Sequence, residues 1–207
     1  MKKVPHRLKD LTFREATHRY FYLGQELTSV THAIGAVGIT DFSKVPFELM
    51  EQAQLIGDYV HEIARLYALN NLDEDTLDPR LSGYLQGIKK FFSENVQKVL
   101  LAEARVYDLG LGYAGTCDLV YRNFKRKVCL DDFKTAKNAH PAAQLQTAAY
   151  KRPVERLYGL KVDERAGVHI RGLGDYDRIP YHNPADFGDF VHALAVARWK
   201  QKHKIRT

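Results

Sequence analysis

Tyr113-Ala114-Gly115-Thr116-Cys117-Asp118-Leu119-Val120-Tyr121 and, after a turn, Lys127-Val128-Cys129-Leu130-Asp131-Asp132-Phe133-Lys134-Thr135 decide the fold. Both stretches are rich in β-branched and aromatic residues, and Asn123–Arg126 supplies the turn between them, so they read as neighbouring strands. Asp118 interrupts the apolar run Cys117–Tyr121, and an acid there is costly to bury unless it is paired or metal-bound. Asp132 and Lys134, two apart, project from one face of their strand, while Phe133 points to the opposite face and into the core. Side by side, the strands bring Asp118 next to Asp132. Paired carboxylates are hard oxygen ligands suited to Mg²⁺ or Mn²⁺. Such a metal polarises a phosphate and lowers the pKa of a bound water, and Lys134 can position that water or neutralise developing charge. The plainer alternative is a buried Asp–Lys ion pair with no chemistry. A register slip of one residue would put Asp131 on the active face, but the two-residue spacing to Lys134 favours Asp132.

Outward from this pair, Leu100–Tyr107 reads as a strand preceding Asp118, with a turn at Gly110–Gly112. Arg19–Leu23 and Glu26–Leu27 form a hairpin about Gly24-Gln25, and Ser29 or Thr31 caps a short helix after it. Pro46 suits the first turn of a long helix over Val45–Ala68. Asp78-Pro79 opens a second helix to about Lys98, which Gly83 and Gly87 weaken. Pro141 opens a helix through Tyr158 that stops at Gly159. Arg165–Arg171 and Arg178–Tyr181 read as strands, and Pro184 opens a C-terminal helix. Helices followed by three strands, a helix, strands and a helix give an α/β or α+β core, with a mixed central sheet flanked by helices.

Other residues extend the candidate site. Gln146 and Tyr150, four apart on one helix, share a face. A Gln amide and a Tyr ring at the sheet edge can bind a phosphate and stack on a base; alternatively Tyr150 is core and Gln146 solvated. Gly57 and His61 are likewise four apart. Gly57 permits close backbone approach and His61 is a further metal ligand, or else an ordinary core or surface histidine. Glu103 completes an acidic cluster or pairs with Arg105 or a lysine.

The 207 residues are 45% hydrophobic and 27% charged, with a net charge of +6. This is a globular composition, enough for one domain over 1–207, and its basic surplus suits a polyanionic partner. No run of about 18 apolar residues predicts a membrane helix, and the basic N-terminus lacks the apolar run of a secretory signal. Cys117 and Cys129 read as core thiols in a reducing, intracellular compartment. The basic tail with Arg198, Lys200, Lys202, Lys204 and Arg206 either tracks a phosphate backbone or is a solvated helix end favoured by the dipole.

The ordered series His61, Glu103, Gly115-Thr116-x-Asp118, Asp132-Phe133-Lys134-Thr135 and Gln146-x-x-x-Tyr150 resembles the PD-(D/E)XK nuclease superfamily. Within it, the upstream histidine and the QxxxY helix resemble the RecB-like branch. The hairpin and Leu27-Thr28-Ser29-Val30-Thr31 are similar to the start of phage exonucleases and of the mitochondrial genome maintenance exonuclease. The resemblance implies a restriction-endonuclease-like core with an N-terminal hairpin and a helical insertion. It implies a Mg²⁺- or Mn²⁺-dependent DNA exonuclease favouring single strands or free ends. His61, Asp118, Asp132 and the Phe133 carbonyl would be metal ligands, Asp118, Asp132, Lys134 and Glu103 catalytic, and Gln146, Tyr150 and Thr135 in contact with DNA. Relatives among the CRISPR-associated nucleases carry a four-cysteine iron–sulfur cluster, which two cysteines cannot form. No Walker motif or helicase segment accompanies these motifs, which implies a nuclease acting alone or with a protein partner in a replication or recombination complex. Its setting would be the cytoplasm of a bacterium or of a phage-infected host. The alternatives are a structure-specific endonuclease on the same scaffold and a catalytically inactive DNA-binding protein.

Overall fold

The computed structural model describes residues 9–40, 46–136 and 140–205. In chain order it contains strands β1 (Leu11–Arg14), β2 (Arg19–Tyr22) and β3 (Gln25–Ser29), then helices α1 (Val30–Ala36), α2 (Phe47–Ala68) and α3 (Ser82–Asn95). Strands β4 (Lys98–Asp108), β5 (Tyr113–Arg122) and β6 (Val128–Lys134) follow, then α4 (Ala142–Tyr158), β7 (Glu164–Arg171), β8 (Asp175–Pro180) and α5 (Asp186–Lys202). The strands join in one mixed sheet ordered β1-β2-β3-β5-β6-β7-β8, with β4 also paired to β5. β3–β5 and β6–β7 are parallel and the other pairs antiparallel.

Alternation along the central strands divides the interior in two. Val120, Val128 and Leu130 face a core shared with α1, α4 and α5. Leu119, Tyr121, Cys129, Phe133, Val168 and Ile170 face a core shared with α2 and α3. The mixed sheet is thus flanked by helices on both faces, as expected. Cys117 and Cys129 are buried core thiols. No helix among the described residues is long and apolar enough to cross a membrane.

Ser29 caps α1, its hydroxyl accepting the His32 N–H at 3.4 Å. The expected hairpin gains a third strand, β1, from Leu11–Arg14, whose four residues are too short for periodicity to reveal. Val45, the expected start of the long helix, lies outside the described residues, and Pro46 is the N-cap of α2. Asp78 caps a 3-10 turn over Pro79–Leu81 rather than α3 itself, which starts at Ser82. Gly83 and Gly87, which weaken α3 on propensity, are packing requirements. A Cβ at Gly83 would lie 1.7 Å from the Gly172 carbonyl oxygen, and one at Gly87 2.8 Å from that of Asp175. Helix α3 therefore rests directly on the β7–β8 hairpin.

Helix α4 contains Pro153, which cannot donate to the carbonyl of residue 149. Tyr113, fully buried on β5, donates its hydroxyl to the Ala149 carbonyl at 2.8 Å instead. The proline's missing donor is thus replaced by a side chain from the sheet, and this ties α4 to the strand that carries Asp118. Tyr113→Phe leaves that carbonyl unsatisfied and is predicted to cost about 1–3 kcal/mol in chemical denaturation. With Pro153→Ala the helical donor returns and the cost of Tyr113→Phe should shrink; equal cost in both backgrounds would refute this coupling.

Candidate active site

The site forms where β5 and β6 part. One edge of β5 pairs with β4 along most of its length. The other edge holds β3 at Tyr113–Ala114 and β6 at Leu119–Arg122, so Gly115–Asp118 have no ladder partner on that edge. β6 runs on to Lys134 beside β7. The Phe133 N–H faces the gap and is taken by the Asp118 carboxylate, Oδ2 accepting at 2.7 Å. Strand β5 and its neighbour on the other edge, β4, are both irregular here. Cys117 and Val120, three apart, lie in the same core, so alternation slips by one between them. On β4, Glu103 has φ 45°, a left-handed conformation that costs a non-glycine residue on the order of 1–3 kcal/mol.

Helix α2 brings His61 over this gap. Its Nδ1 lies 3.3 Å from Asp118 Oδ2 and 3.8 Å from Glu103 Oε1. His61, Glu103 and Asp118 each offer one ligand atom within 4.8 Å of the others, a cluster that can hold a metal ion. Of the expected ligands, His61 and Asp118 stand in this cluster, and Glu103 joins them as in the acidic-cluster reading. Glu103 stands in the triad, while Asp132, 1% exposed, is ion-paired to Lys134 on the same strand face. The reason is geometric: the bend in β4 and β5 gathers Glu103 and Asp118 under His61, whereas Asp132 projects toward the α4 side with Lys134.

Charges in the cluster are strongly coupled. Burial opposes charge on His61, but Asp118 and Glu103 outweigh it and lift its pKa to about 9. Burial pushes Asp118 above the usual carboxylate range, with Asp132 and Glu103 adding and His61 opposing. Burial works against the Lys134 ammonium, yet Asp132 and Asp118 keep it charged.

On the α4 side, Lys134 Nζ donates to Gln146 Oε1 at 3.4 Å, and Gln146 Nε2 donates to the Tyr150 hydroxyl at 3.3 Å. The QxxxY pair thus reaches the catalytic candidates as expected, but not with a stacking ring. Tyr150 is 2% exposed and packed in the core, where a Cβ at Gly115 would lie 2.5 Å from its Cε1. Its ring has no free face for a base. Thr135 follows β6 opposite Gly57, whose Cβ would lie at an ordinary 3.7 Å from Thr135 Oγ1, so Gly57 permits the passage without being demanded by it.

Asp131 faces the other core, where Tyr121 Oη donates at 2.8 Å and Arg178 at 2.7 and 3.0 Å. It is structural, and the Asp132 register holds. In the basic tail, Arg198 donates to Thr28 Oγ1 at 3.1 Å and to the Gly112 carbonyl at 2.5 Å, and Lys200 to the Ala36 carbonyl at 2.8 Å. These two tie α5 down rather than tracking a backbone; Lys202 and Lys204 are exposed, and Arg206 lies outside the described residues.

A groove of about 1660 Å³ passes the cluster, bounded by the N-terminal strands, α2 and β4. His61, Glu103, Asp118, Lys134, Gln146 and Tyr150 all contribute to its wall. Phe13, His18 and Tyr20 line its N-terminal end, where Arg105 lies 5.2 Å over the Phe13 ring. Sequence reading did not single out His169 and Tyr181, which are buried beside Asp132 and Lys134. His169 carried the same signal as Asp118, a polar residue inside an apolar strand, Val168-His169-Ile170.

No family model and no curated protein matches the chain. Among solved structures, the "Putative exonuclease" from Eubacterium rectale is similar to it in fold. The TM-score is 0.54, at 13% sequence identity, over 87% of this chain and 83% of that one.

A histidine ligand must be neutral to bind metal, so the raised His61 pKa of about 9 makes a proton compete with any ion. Affinity for a divalent cation is predicted to rise with pH, by about tenfold per unit below that value for one displaced proton. Calorimetric titration between pH 6.5 and 8.5, at about those values, should show proton release. A pH-independent affinity would remove His61 from the ligand set.

Proposed function

We propose that this chain is a divalent-metal-dependent deoxyribonuclease of the PD-(D/E)XK type, RecB-like branch, that degrades DNA from free ends and prefers single strands. One observation carries the reading: where β5 and β6 part, Asp118, Glu103 and His61 on one side and Lys134 and Gln146 on the other line one long groove, with Asp132 buried and ion-paired to Lys134. Its volume of about 1660 Å³ exceeds the roughly 300–1,000 Å³ of small-molecule sites and suits a polymer. The likeness in fold to the Eubacterium rectale "Putative exonuclease" points the same way.

The donor set fits the metal. Two carboxylates and an imidazole within 4.8 Å are hard and borderline ligands, and the Asp132 oxygens, buried with the Lys134 ammonium as their one partner, add further oxygen ligands nearby. His61, Glu103, Asp118 and Asp132 would hold Mg²⁺ or Mn²⁺, with the Phe133 carbonyl assisting. That ion would supply Lewis-acid polarisation of the scissile phosphate and a water of lowered pKa. Lys134, held charged by Asp132, neutralises charge developing on the phosphate. Gln146 and Thr135 orient the strand through its phosphates. The rings of Phe13 and His18, with Arg105, offer the groove's N-terminal end to unstacked bases in place of Tyr150.

A groove walled by α2 on one side and the N-terminal strands on the other admits a flexible strand more readily than a rigid duplex. All three of Asp118, Asp132 and Lys134 are present, which counts against an inactive binding protein. Linear single-stranded DNA should be degraded in Mg²⁺ or Mn²⁺ and covalently closed circular single strands spared, at matched salt. Cleavage should stop in excess chelator. Asp118→Asn, Asp132→Asn and Lys134→Ala should each abolish it with the fold intact by circular dichroism. Equal cleavage of the circle would make the protein a structure-specific endonuclease, and undiminished activity in chelator would end the metal reading.

A further inference from the structure

Among the described residues, the buried side-chain nitrogen and oxygen atoms with no hydrogen-bond partner beyond an ion pair belong to three residues: the Asp132 carboxylate, whose one partner is the Lys134 ammonium, Nε2 of His169 and the hydroxyl of Tyr181. Scattered, three such orphans would each be a plain cost. They are not scattered. On the parallel β6–β7 pair, Asp132 stands beside Gly167 and Lys134 beside His169. Phe133, Val168 and Ile170 fill the α2–α3 core, so Asp132, Lys134, Gly167 and His169 share the opposite face. Gly167 has no side chain, and the Tyr181 hydroxyl occupies its place, 2.3 Å from where a Cβ would stand. The orphan groups therefore form one continuous row with Lys134, Tyr181 lying next to Asp132 and His169 next to Lys134.

Their donor and acceptor characters match. The His169 Nδ1 is 2.9 Å from the Ala136 carbonyl oxygen, which only accepts, so in the neutral ring Nδ1 carries the proton and Nε2 is an acceptor. Asp132 is an acceptor. Tyr181 is a donor, its phenol kept protonated by burial and by the Asp132 charge. Lys134 is a donor. Two acceptors and two donors on one face of the β6–β7 pair match the two hydrogens and two lone pairs of a single water.

We infer that Tyr181 and His169 are positioning residues for Asp132 and Lys134, joined to them by one buried water that donates to Asp132 and His169 and accepts from Tyr181 and Lys134. The inference rests on the reading of Asp132 and Lys134 as the nuclease's functional pair. Outer partners of this kind orient metal-binding carboxylates, and their loss typically lowers metal affinity or activity by about 10–100-fold. Neither residue touches the groove wall, so their effect runs through Asp132 and Lys134.

Tyr181→Phe removes only the hydroxyl. If that oxygen is an unused buried group, its removal leaves Mn²⁺ affinity unchanged and the melting temperature unchanged or higher, which would overturn the inference. If it holds the bridge, calorimetry should show Mn²⁺ binding about tenfold weaker with the fold retained by circular dichroism. A metal-free measurement separates this inference from the proposed function. In a double-mutant cycle of Tyr181→Phe with Asp132→Asn, a shared bridge makes the shifts in denaturation midpoint non-additive, and additive shifts refute it. A wild-type protein that binds no Mn²⁺ would sink the proposed nuclease chemistry, while the cycle would still decide the fate of the bridge.

Discussion

The acceptance of the Phe133 N–H by the Asp118 carboxylate is the constraint on which the rest of the site depends. A sheet that stayed closed between β5 and β6 would satisfy this backbone group with a carbonyl, and no cavity would exist there. Because β5 turns from β6 to β3 within four residues, one strand's ladder ends in the middle of the sheet. A buried N–H without a partner is expensive, so a side chain must replace the missing strand. An acid does so better than a neutral acceptor, since hydrogen bonds to charged groups are stronger. The residue that keeps the sheet intact is therefore also the one left facing His61 and Glu103. Structural and chemical roles of Asp118 cannot be separated by position, only by what each substitution preserves.

Much of this was legible in the sequence, and the failures have physical causes. The strands β4, β5 and β6, the helix ends at Pro141 and Gly159, and the shared face of Asp132 and Lys134 follow from period and turn chemistry. The short β1 is stabilised by its partner β2 and has no local signature. Gly83 and Gly87 count against a helix on propensity, and only the facing hairpin reveals why glycine is needed there. Whether Glu103 joins the acidic cluster was left open by the sequence for another reason. Strict alternation predicts the faces of an ideal strand, and the slip between Cys117 and Val120 together with the left-handed Glu103 breaks that rule at the site itself. Tyr150 was misread as a stacking ring because shared helical face says nothing about depth.

Asp131 and Asp132 show how the same residue type is treated on two faces of one strand. Asp131 is fully buried, yet it receives two bonds from the Arg178 guanidinium and one from Tyr121. Its charge is compensated in full, and nothing remains for chemistry. Asp132 is just as buried, but the Lys134 ammonium is its one partner, against three donated bonds at Asp131. A core built for stability alone would not leave a carboxylate in that condition beside two more unpartnered groups. Incomplete satisfaction, rather than burial or charge, is what marks the functional face of β6.

The same logic extends through α4. Gly115 lacks a side chain, so Tyr150 lies against β5 and its hydroxyl is held at a set depth. That hydroxyl accepts from Gln146, and Gln146 in turn accepts from Lys134. Contacts of 3.3 and 3.4 Å are long for such bonds, and catalytic hydrogen bonds are often loose before substrate arrives. On the proposed function, a phosphate entering the groove would compete for the same Lys134 ammonium and Gln146 amide, where the chain has slack. At the other end it is rigid, because Tyr113 fixes α4 to β5 through the carbonyl that Pro153 leaves free. The helix is anchored at its proline and compliant at its glutamine. That places the adjustable element at the phosphate and the fixed one in the core, so substrate can reposition Lys134 without moving the sheet that holds Asp118 and Asp132.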